Sequence, residues 1–313
     1  MKMENVFPWD NNNLGGTEVA VRWFHKNVLP EMKNIRDYRC ISVPGAPQNL
    51  EELFDGQRNL LWLHLTPDQI DDRGMNVLKR QDFLNTVDHF IVLSQFHKKQ
   101  TVLQLGIDPD TVHVIEYPLY NVEYNKSKFD DIDKARIIHA SQAVRGLEVL
   151  LQSTLQIDED FQLDIYNDFY PEQQPDNEAL EKLLKDERIT FYGKTPHKTM
   201  MKKFADSHIH AYPSIFEETS CLVQAEALAS GNLCVYSNVG VLPETSRGYG
   251  MMIDFISKQS MEEVVKDYAD NLRNAIKMVK NNEFDPSEQI EDIKAYRSKE
   301  RISQQWLNFD KML

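Results

Sequence analysis

Short apolar segments alternate with longer amphipathic segments along most of the chain. The apolar segments are rich in Ile, Val, Leu and Tyr, which is typical of buried strands. The segments between them are long enough for crossover helices, so the pattern predicts parallel sheets covered by helices. Strands are predicted at 39–43, 59–65, 89–94, 113–118, 135–141, 161–167, 189–193, 208–214, 233–238 and 250–254. Helices are predicted at 17–29, 76–84, 95–105, 146–156, 177–186, 196–206, 219–230, 260–281 and 298–311.

A polar segment divides this pattern into two blocks. Residues 121–134 are polar and charged without a clear period, which is typical of a linker. The sequence therefore predicts two domains, 1–125 and 126–297, and a last helix, about 298–313, that packs back on the first. The first block is small, and its opening strand is either the weak segment 4–7 or missing.

The charge balance excludes several classes of function. Lys and Arg number 35 and Asp and Glu number 49, which gives a formal net charge of −14. A general nucleic-acid binder needs a basic surface, and so does a protein that adheres broadly to an anionic membrane. The acidic charge therefore argues against both classes. The chain has no apolar run long enough to span a bilayer, and its first residues do not resemble a signal peptide. We therefore expect a cytoplasmic protein without a transmembrane segment, in which any anionic ligand is held by a local pocket.

The usual metal and dinucleotide motifs are missing. Cys40, Cys221 and Cys234 lie far apart and are expected to be reduced, buried thiols. His208 and His210 share one face of a strand, but two histidines alone are a weak metal signal. No GxGxxG pattern occurs. We expect neither a bound metal nor a resident cofactor.

The segment 212–231 carries the strongest chemical signal. It reads as a strand, a tight loop and a helix that ends at Gly231. Backbone N–H groups at the start of a helix favour an anion such as a phosphate or diphosphate. The groups expected to face such an anion belong to Thr219, Ser220, Cys221 and Leu222.

Two glutamates in this segment are spaced for a long ligand. Glu218 and Glu226 are eight residues apart, which is about 12 Å along a helix. That distance is too long for a carboxylate pair acting on one atom. It suits two carboxylates that bind hydroxyl groups at opposite ends of a nucleoside diphosphate sugar. The alternative is that Glu218 only favours the helix dipole and that Glu226 faces solvent, although Glu226 lies among apolar neighbours.

These residues resemble a known family. The spacing Glu218-x7-Glu226, preceded by Tyr212-Pro213-Ser214, is similar to the signature of glycosyltransferase family 4. Gly15 and Gly16 resemble the glycine-rich loop that opens the first domain of that family. Three further segments resemble it, at 141–152, 189–214 and 237–254. The resemblance implies an α/β protein of the GT-B fold, with two Rossmann-like domains whose parallel sheets face a cleft and with a reduced N-terminal domain.

The resemblance also implies roles for the donor-side residues. Glu226 corresponds to the residue that binds the ribose of the donor nucleotide, and Glu218 to the one that binds the transferred sugar. The backbone at 219–222 would meet the distal phosphate and the sugar. Arg145 falls where the family places a basic residue on the diphosphate, a task that suits a guanidinium.

Other positions match the family less closely. Gly15 and Gly16 would let the backbone approach the phosphates, because glycine has no Cβ. His64 follows a strand where family members often carry a histidine near the reacting sugar, and a core histidine is the alternative. Many members carry a second basic residue where this chain has Gln142, and Lys194 and Arg247 are the two candidates to replace it.

The family resemblance predicts a retaining, metal-independent hexosyltransferase. The donor would be a nucleoside diphosphate sugar, and the acceptor an unidentified glycan, lipid-linked molecule or small molecule. Two alternatives stay open. One is a GT-B protein that binds a nucleotide sugar or glycan without catalysis, which the missing basic residue at Gln142 favours. The other is a nucleotide-sugar epimerase.

Overall fold

The computed structural model describes residues 16–43, 58–70, 76–166 and 185–313. Its strands are β1 Tyr38–Val43, β2 Arg58–Leu63, β3 His89–Val92, β4 Val112–Val114, β5 Ala135–His139, β6 Phe161–Ile165, β7 Ile189–Phe191, β8 Ile209–Tyr212, β9 Leu233–Ser237 and β10 Met251–Ile253. Its helices are α1 Gly16–Asn27, α2 Gln81–Leu84, α3 Gln95–Leu105, α4 Leu147–Thr154, α5 His197–Asp206, α6 Leu222–Ala229, α7 Leu242–Ser246, α8 Met261–Lys280, α9 Ser287–Tyr296 and α10 Lys299–Met312.

The chain divides into two compact units, each built on one parallel sheet. The first unit comprises Met1–Pro118 and Arg297–Leu313, and the second comprises Leu119–Tyr296. The first sheet has the order β1-β2-β3-β4, with every neighbouring pair parallel. In β2, Leu60–Leu63 are all buried. Because neighbouring residues of a strand point to opposite faces, both faces of the sheet are covered at this strand.

The last helix belongs to the first unit. Trp306 of α10 is buried and its ring lies 4.3 Å from the ring of Phe24 and 4.9 Å from that of Trp62, measured between centroids. The Asp310 carboxylate accepts hydrogen bonds from the backbone N–H groups of Lys33, at 2.8 Å, and Ile35, at 2.7 Å. Aromatic burial and these charge-assisted bonds tie the last segment of the chain to its first third.

The second sheet determines where a ligand can bind. Its order is β10-β9-β8-β5-β6-β7, with all neighbouring pairs parallel. The chain starts in the middle at β5, adds β6 and β7 on one side, and then returns to place β8 on the other side of β5. Ligands of open parallel sheets bind at the carboxyl ends of the strands where the order reverses, which is here between β5 and β8.

The elements of the described part follow the hydrophobic pattern closely, with two main differences. Helix α6 begins at Leu222 rather than at residue 219. Helix α9 was not predicted, because its segment is strongly charged and buries only one face, through Gln289, Ile290 and Ile293. The predicted strand at 4–7 and most of the predicted helix at 177–186 lie outside the described residues.

Candidate functional site

Two loops meet at the carboxyl edge of the second sheet, at the reversal between β5 and β8. Gly146 ends the loop after β5 with a φ of +91°, and a Cβ at this position would overlap the carbonyl oxygen of Pro213 in the loop after β8. Glycine is therefore required for both the backbone conformation and the space. The close approach brings the side chains of the two loops together.

Replacing Gly146 by Ala tests this contact. We expect Gly146→Ala to lower the free energy of unfolding by about 3 kcal/mol or more, because left-handed strain is added to an overlap with backbone. Gly248→Ala is the matched control, since Gly248 has a φ of +88° and open space around its Cα. Chemical denaturation of both variants measures the difference, and equal losses would contradict the proposed close approach of the loops.

A network of charged and hydroxyl groups joins these loops. The Arg145 Nε atom lies 2.8 Å from Glu218 Oε1. The Tyr212 hydroxyl donates to the same oxygen at 2.7 Å, and its oxygen lies 3.2 Å from Ser141 Oγ. The Arg145 guanidinium also stacks on the Phe216 ring, 4.8 Å from its centroid. The structure thus brings two predicted residues, Arg145 and Glu218, into direct contact.

The Glu218 carboxylate is held in a mostly buried position. Burial raises its pKa, while the Arg145 charge and the Tyr212 hydroxyl act in the opposite direction. Its backbone carbonyl accepts a hydrogen bond from Val241 at 2.9 Å. A Cβ on Gly240 would lie 2.7 Å from the Glu218 nitrogen, so a second glycine packs tightly against this residue. The orientation of Glu218 is therefore set from several sides.

Glu226 lies on helix α6 in an apolar setting. It is 4% exposed, and Ala225, Ala227 and Leu228 beside it are completely buried. Burial raises the pKa of this carboxyl group. The interpretation that Glu226 faces solvent is therefore wrong. A buried carboxylate is costly unless it is paired, and a hydrophobic residue would pack here at lower cost.

The partner of Glu226 was missed by the sequence analysis. His197 Nε2 lies 2.6 Å from Glu226 Oε1, and this hydrogen bond raises the pKa of the histidine. His197 is the first residue of α5 and follows the loop after β7. The two residues are 29 positions apart and belong to different helices, so no spacing rule links them.

The start of α6 differs from the expected arrangement. Because the helix begins at Leu222 and is capped by Cys221, residues 219–221 precede the first turn. The Leu222 N–H donates to the Ser220 carbonyl at 3.1 Å. Thr219 and Cys221 are buried. The expected row of outward helical N–H groups at 219–222 is thus wrong in detail, and the first-turn groups of this helix are those of Leu222, Val223 and Gln224.

The remaining predicted residues lie elsewhere. Lys194 is exposed in the loop after β7, three residues before His197. Gly16 is the exposed first residue of α1 in the first unit, and Gly15 lies outside the described residues. Gly16 thus belongs to the first unit, whereas Arg145 and Glu218 belong to the second.

His64 occupies a buried network within the first unit. Its Nε2 lies 2.7 Å from Ser42 Oγ, and its Nδ1 contacts the Tyr117 hydroxyl. The ring is 3% exposed, and burial lowers its pKa to about 3. A neutral histidine whose two ring nitrogens both contact neighbouring side chains agrees better with a core histidine than with a histidine that contacts a substrate.

Neither a metal cluster nor a membrane-spanning helix is found in the described residues. Within those ranges, no group of three or more His, Cys, Asp or Glu side chains is arranged to hold a metal ion. None of the helices in that same part of the chain is both long and apolar enough to cross a bilayer.

The second sheet lies in a segment that is similar to a known family. Residues 135–274 match the family described as glycosyl transferases group 1. The matched segment contains Arg145 and Glu218, which form one ion pair, and His197 and Glu226, which form the other pair.

A curated relative and two solved structures extend the likeness. One component of the human phosphatidylinositol N-acetylglucosaminyltransferase is 24% identical over 211 residues, which are 66% of this chain and 42% of that protein. The chain thus spans less than half the length of this relative. A glycosyltransferase from Rickettsia africae aligns with a TM-score of 0.66 at 15% identity, over 98% of this chain and 83% of that one. The pneumococcal O-GlcNAc transferase GtfA, solved with UDP and GlcNAc, aligns with a TM-score of 0.65 at 13% identity, over 93% and 59%.

The structural matches establish the fold. The chain has the α/β fold of GT-B glycosyltransferases, with two Rossmann-like domains built on parallel sheets. The prediction of the fold class is confirmed in these respects.

Proposed function

We propose that the protein is a retaining glycosyltransferase, which moves a sugar from a nucleoside diphosphate sugar to an acceptor hydroxyl. The observation that carries the proposal is the pair of carboxylates around helix α6. Glu218 precedes the helix and pairs with Arg145, and Glu226 lies within it and pairs with His197. Both belong to elements at the carboxyl edge of the sheet where its order reverses, and both lie in the segment that matches the glycosyl transferases group 1 family.

The chemistry of the donor matches this arrangement. In the proposal, Glu226 accepts hydrogen bonds from the ribose hydroxyls and Glu218 accepts them from the transferred sugar. The start of α6, together with Arg145, receives the diphosphate that lies between them. The likeness to GtfA, which was solved with UDP and GlcNAc, supports a nucleotide-sugar donor.

The Arg145–Glu218 ion pair suggests how the donor is accommodated. An incoming diphosphate can replace the Glu218 carboxylate as the partner of Arg145. The sugar hydroxyls can then replace Arg145 as the partners of Glu218. Each charged group has a charged or polar partner before and after this exchange, so the donor does not leave a buried charge unpaired. Lys194, exposed in the neighbouring loop, is proposed as a further basic contact for the diphosphate.

Catalysis would rest on stabilising the leaving group. As the bond from the sugar to the diphosphate breaks, negative charge develops on the phosphate oxygen, and Arg145 with the start of α6 is aimed at that charge. No side chain here is proposed as a covalent nucleophile. We propose a front-face displacement, in which the leaving phosphate accepts the proton of the acceptor hydroxyl and the anomeric configuration is retained. The roles of Gly15, Gly16 and His64 toward the donor or acceptor stay predictions from the family resemblance.

A donor screen tests the proposed function. We expect one of the nucleoside diphosphate sugars of a panel to raise the melting temperature, because a ligand that binds the native state stabilises it. The same donor should transfer its sugar to an acceptor with retained configuration and without loss of rate in EDTA. An absolute requirement for Mn²⁺ would contradict the metal-independent mechanism.

Product analysis separates the two alternatives from this proposal. An epimerase would release an isomerised sugar nucleotide without any acceptor. A non-catalytic binder would bind a nucleoside diphosphate in calorimetry and show neither transfer nor donor hydrolysis. Many family members carry a basic residue where this chain has Gln142, and this difference is the feature that favours the non-catalytic binder.

A further inference from the structure

The Glu226 carboxylate is held at one of its two oxygens. The His197 ring nitrogen engages Oε1 at 2.6 Å. Among the described residues, His197 is the hydrogen-bonding partner that the structure gives to this carboxylate. In the proposed site, the second oxygen of this carboxylate accepts a hydrogen bond from a ligand hydroxyl. The residues beside Glu226 on the helix are packed into the core, so the helix itself is held in place. The hydrogen bond from His197 then sets the direction of the carboxylate at the end of the side chain.

Helix stability does not explain a histidine at this position. His197 is the first residue of α5 and follows Pro196, which occupies the N-cap position. A protonated imidazole at a helix N-terminus is unfavourable, because the N-terminal end of the helix dipole is already positive. The side chain is 34% exposed, so burial does not require it either. Its contact with Glu226 is the interaction that accounts for its presence.

The pairing has a chemical consequence for Glu226. Burial among alanines favours the protonated, neutral form of the carboxyl group, and His197 favours the ionised form. An ionised carboxylate accepts hydrogen bonds through both oxygens, whereas a protonated one must donate through one of them. If both neighbouring ribose hydroxyls donate to this carboxyl group, the group must be in its ionised form.

We propose that His197 is a positioning residue, which keeps the Glu226 carboxylate ionised and turned toward the vicinal hydroxyls of the donor ribose. The inference rests on the proposed function, since it concerns the same nucleotide site. It assigns to a residue outside the Glu-x7-Glu spacing a part in distinguishing ribonucleotides from nucleotides that lack these hydroxyls.

Calorimetry with matched nucleotides tests the assignment. UDP, GDP and ADP are first titrated into the full chain to find the base that binds most tightly, and then its 2′,3′-dideoxy counterpart is titrated. We expect His197→Ala to weaken binding of the ribonucleotide about tenfold, since hydrogen bonds to charged groups are the strong ones, while the dideoxy nucleotide binds within about twofold of wild type. His197→Gln, whose amide can donate to Glu226, should restore most of the ribonucleotide affinity.

The controls distinguish positioning from general damage. Lys198→Ala changes the exposed neighbour of His197 and should leave both affinities unchanged. Equal weakening of the ribose and dideoxy nucleotides by His197→Ala would overturn the positioning role, and so would an unchanged ribonucleotide affinity. If the wild-type chain binds none of the three nucleoside diphosphates, the proposed function itself fails, and this inference fails with it.

Discussion

Glu218→Gln is expected to lower the turnover number for sugar transfer by about a hundredfold or more, while the affinity for the free nucleoside diphosphate is kept or increased. The amide has the same shape as the carboxylate, but it cannot form a charge-assisted bond with the sugar hydroxyls. It also holds Arg145 less tightly, because the ion pair at 2.8 Å is replaced by a contact with an uncharged amide, and Arg145 binds the diphosphate more readily. Initial rates with the identified donor and calorimetry with its nucleotide product measure the two effects separately.

The neighbouring glutamate provides the control for this variant. Glu217 is exposed and precedes Glu218, so Glu217→Gln removes the same charge from the same loop. This variant should transfer sugar at close to the wild-type rate. Equal losses of turnover in the two variants would point to the net charge of the loop instead of to a contact with the sugar. A loss of nucleotide affinity in Glu218→Gln would contradict the proposed exchange of partners at Arg145.

Glu226→Gln is expected to weaken nucleoside diphosphate binding by about a hundredfold and to raise the free energy of unfolding at the same time. The carboxylate is 4% exposed and burial raises its pKa. A group with a raised carboxyl pKa binds more protons in the folded state than in the unfolded state, so its ionisation makes the folded state less stable as the pH increases. The amide is not ionised and avoids this loss.

The pH dependence of the same variant follows from the histidine. Its contact with Glu226 raises the pKa of His197, so the stabilisation from this pair is complete below the ordinary histidine value of 6.5 and is lost as the pH rises through the raised value. Above that range, Glu226 is a buried carboxylate without a counter-charge. The gain in stability from Glu226→Gln should therefore be larger at pH 9 than at pH 6.

Urea denaturation of wild type and variant at the two pH values measures this difference. Glu291→Gln, at an exposed position of α9, is the control and should change stability little at either pH. A lower free energy of unfolding for Glu226→Gln at both pH values would show that the carboxylate contributes to folding. The presence of a carboxylate at this buried position would then be explained by folding alone, without a bound ligand.

These two variants examine different ends of one proposed donor. Glu218 is argued to act on the transferred sugar, so its loss should affect turnover. Glu226 is argued to act on the ribose, so its loss should affect nucleotide affinity.

The sequence by itself determined the class of the fold and the local setting of the glutamates. Apolar segments of strand length separated by crossover-length connections predicted parallel sheets, and the described strands follow them. The order of strand, loop and helix at 212–231 could also be predicted, because these local structures depend on residues that are close in sequence. Only the start of α6 was displaced, from residue 219 to Leu222, because polar loop residues continue the helical pattern without being helical.

The tertiary structure alone decided how the site is assembled. The reversal of strand order between β5 and β8, the Arg145–Glu218 ion pair and the Glu226–His197 pair each join segments that are distant in sequence. The burial of His64 depends likewise on Ser42 and Tyr117 from other segments of its unit. The physical reason is that periodicity and capping act over a few residues of the backbone. Charge pairing and burial depend instead on which loops the sheet order brings to the same edge.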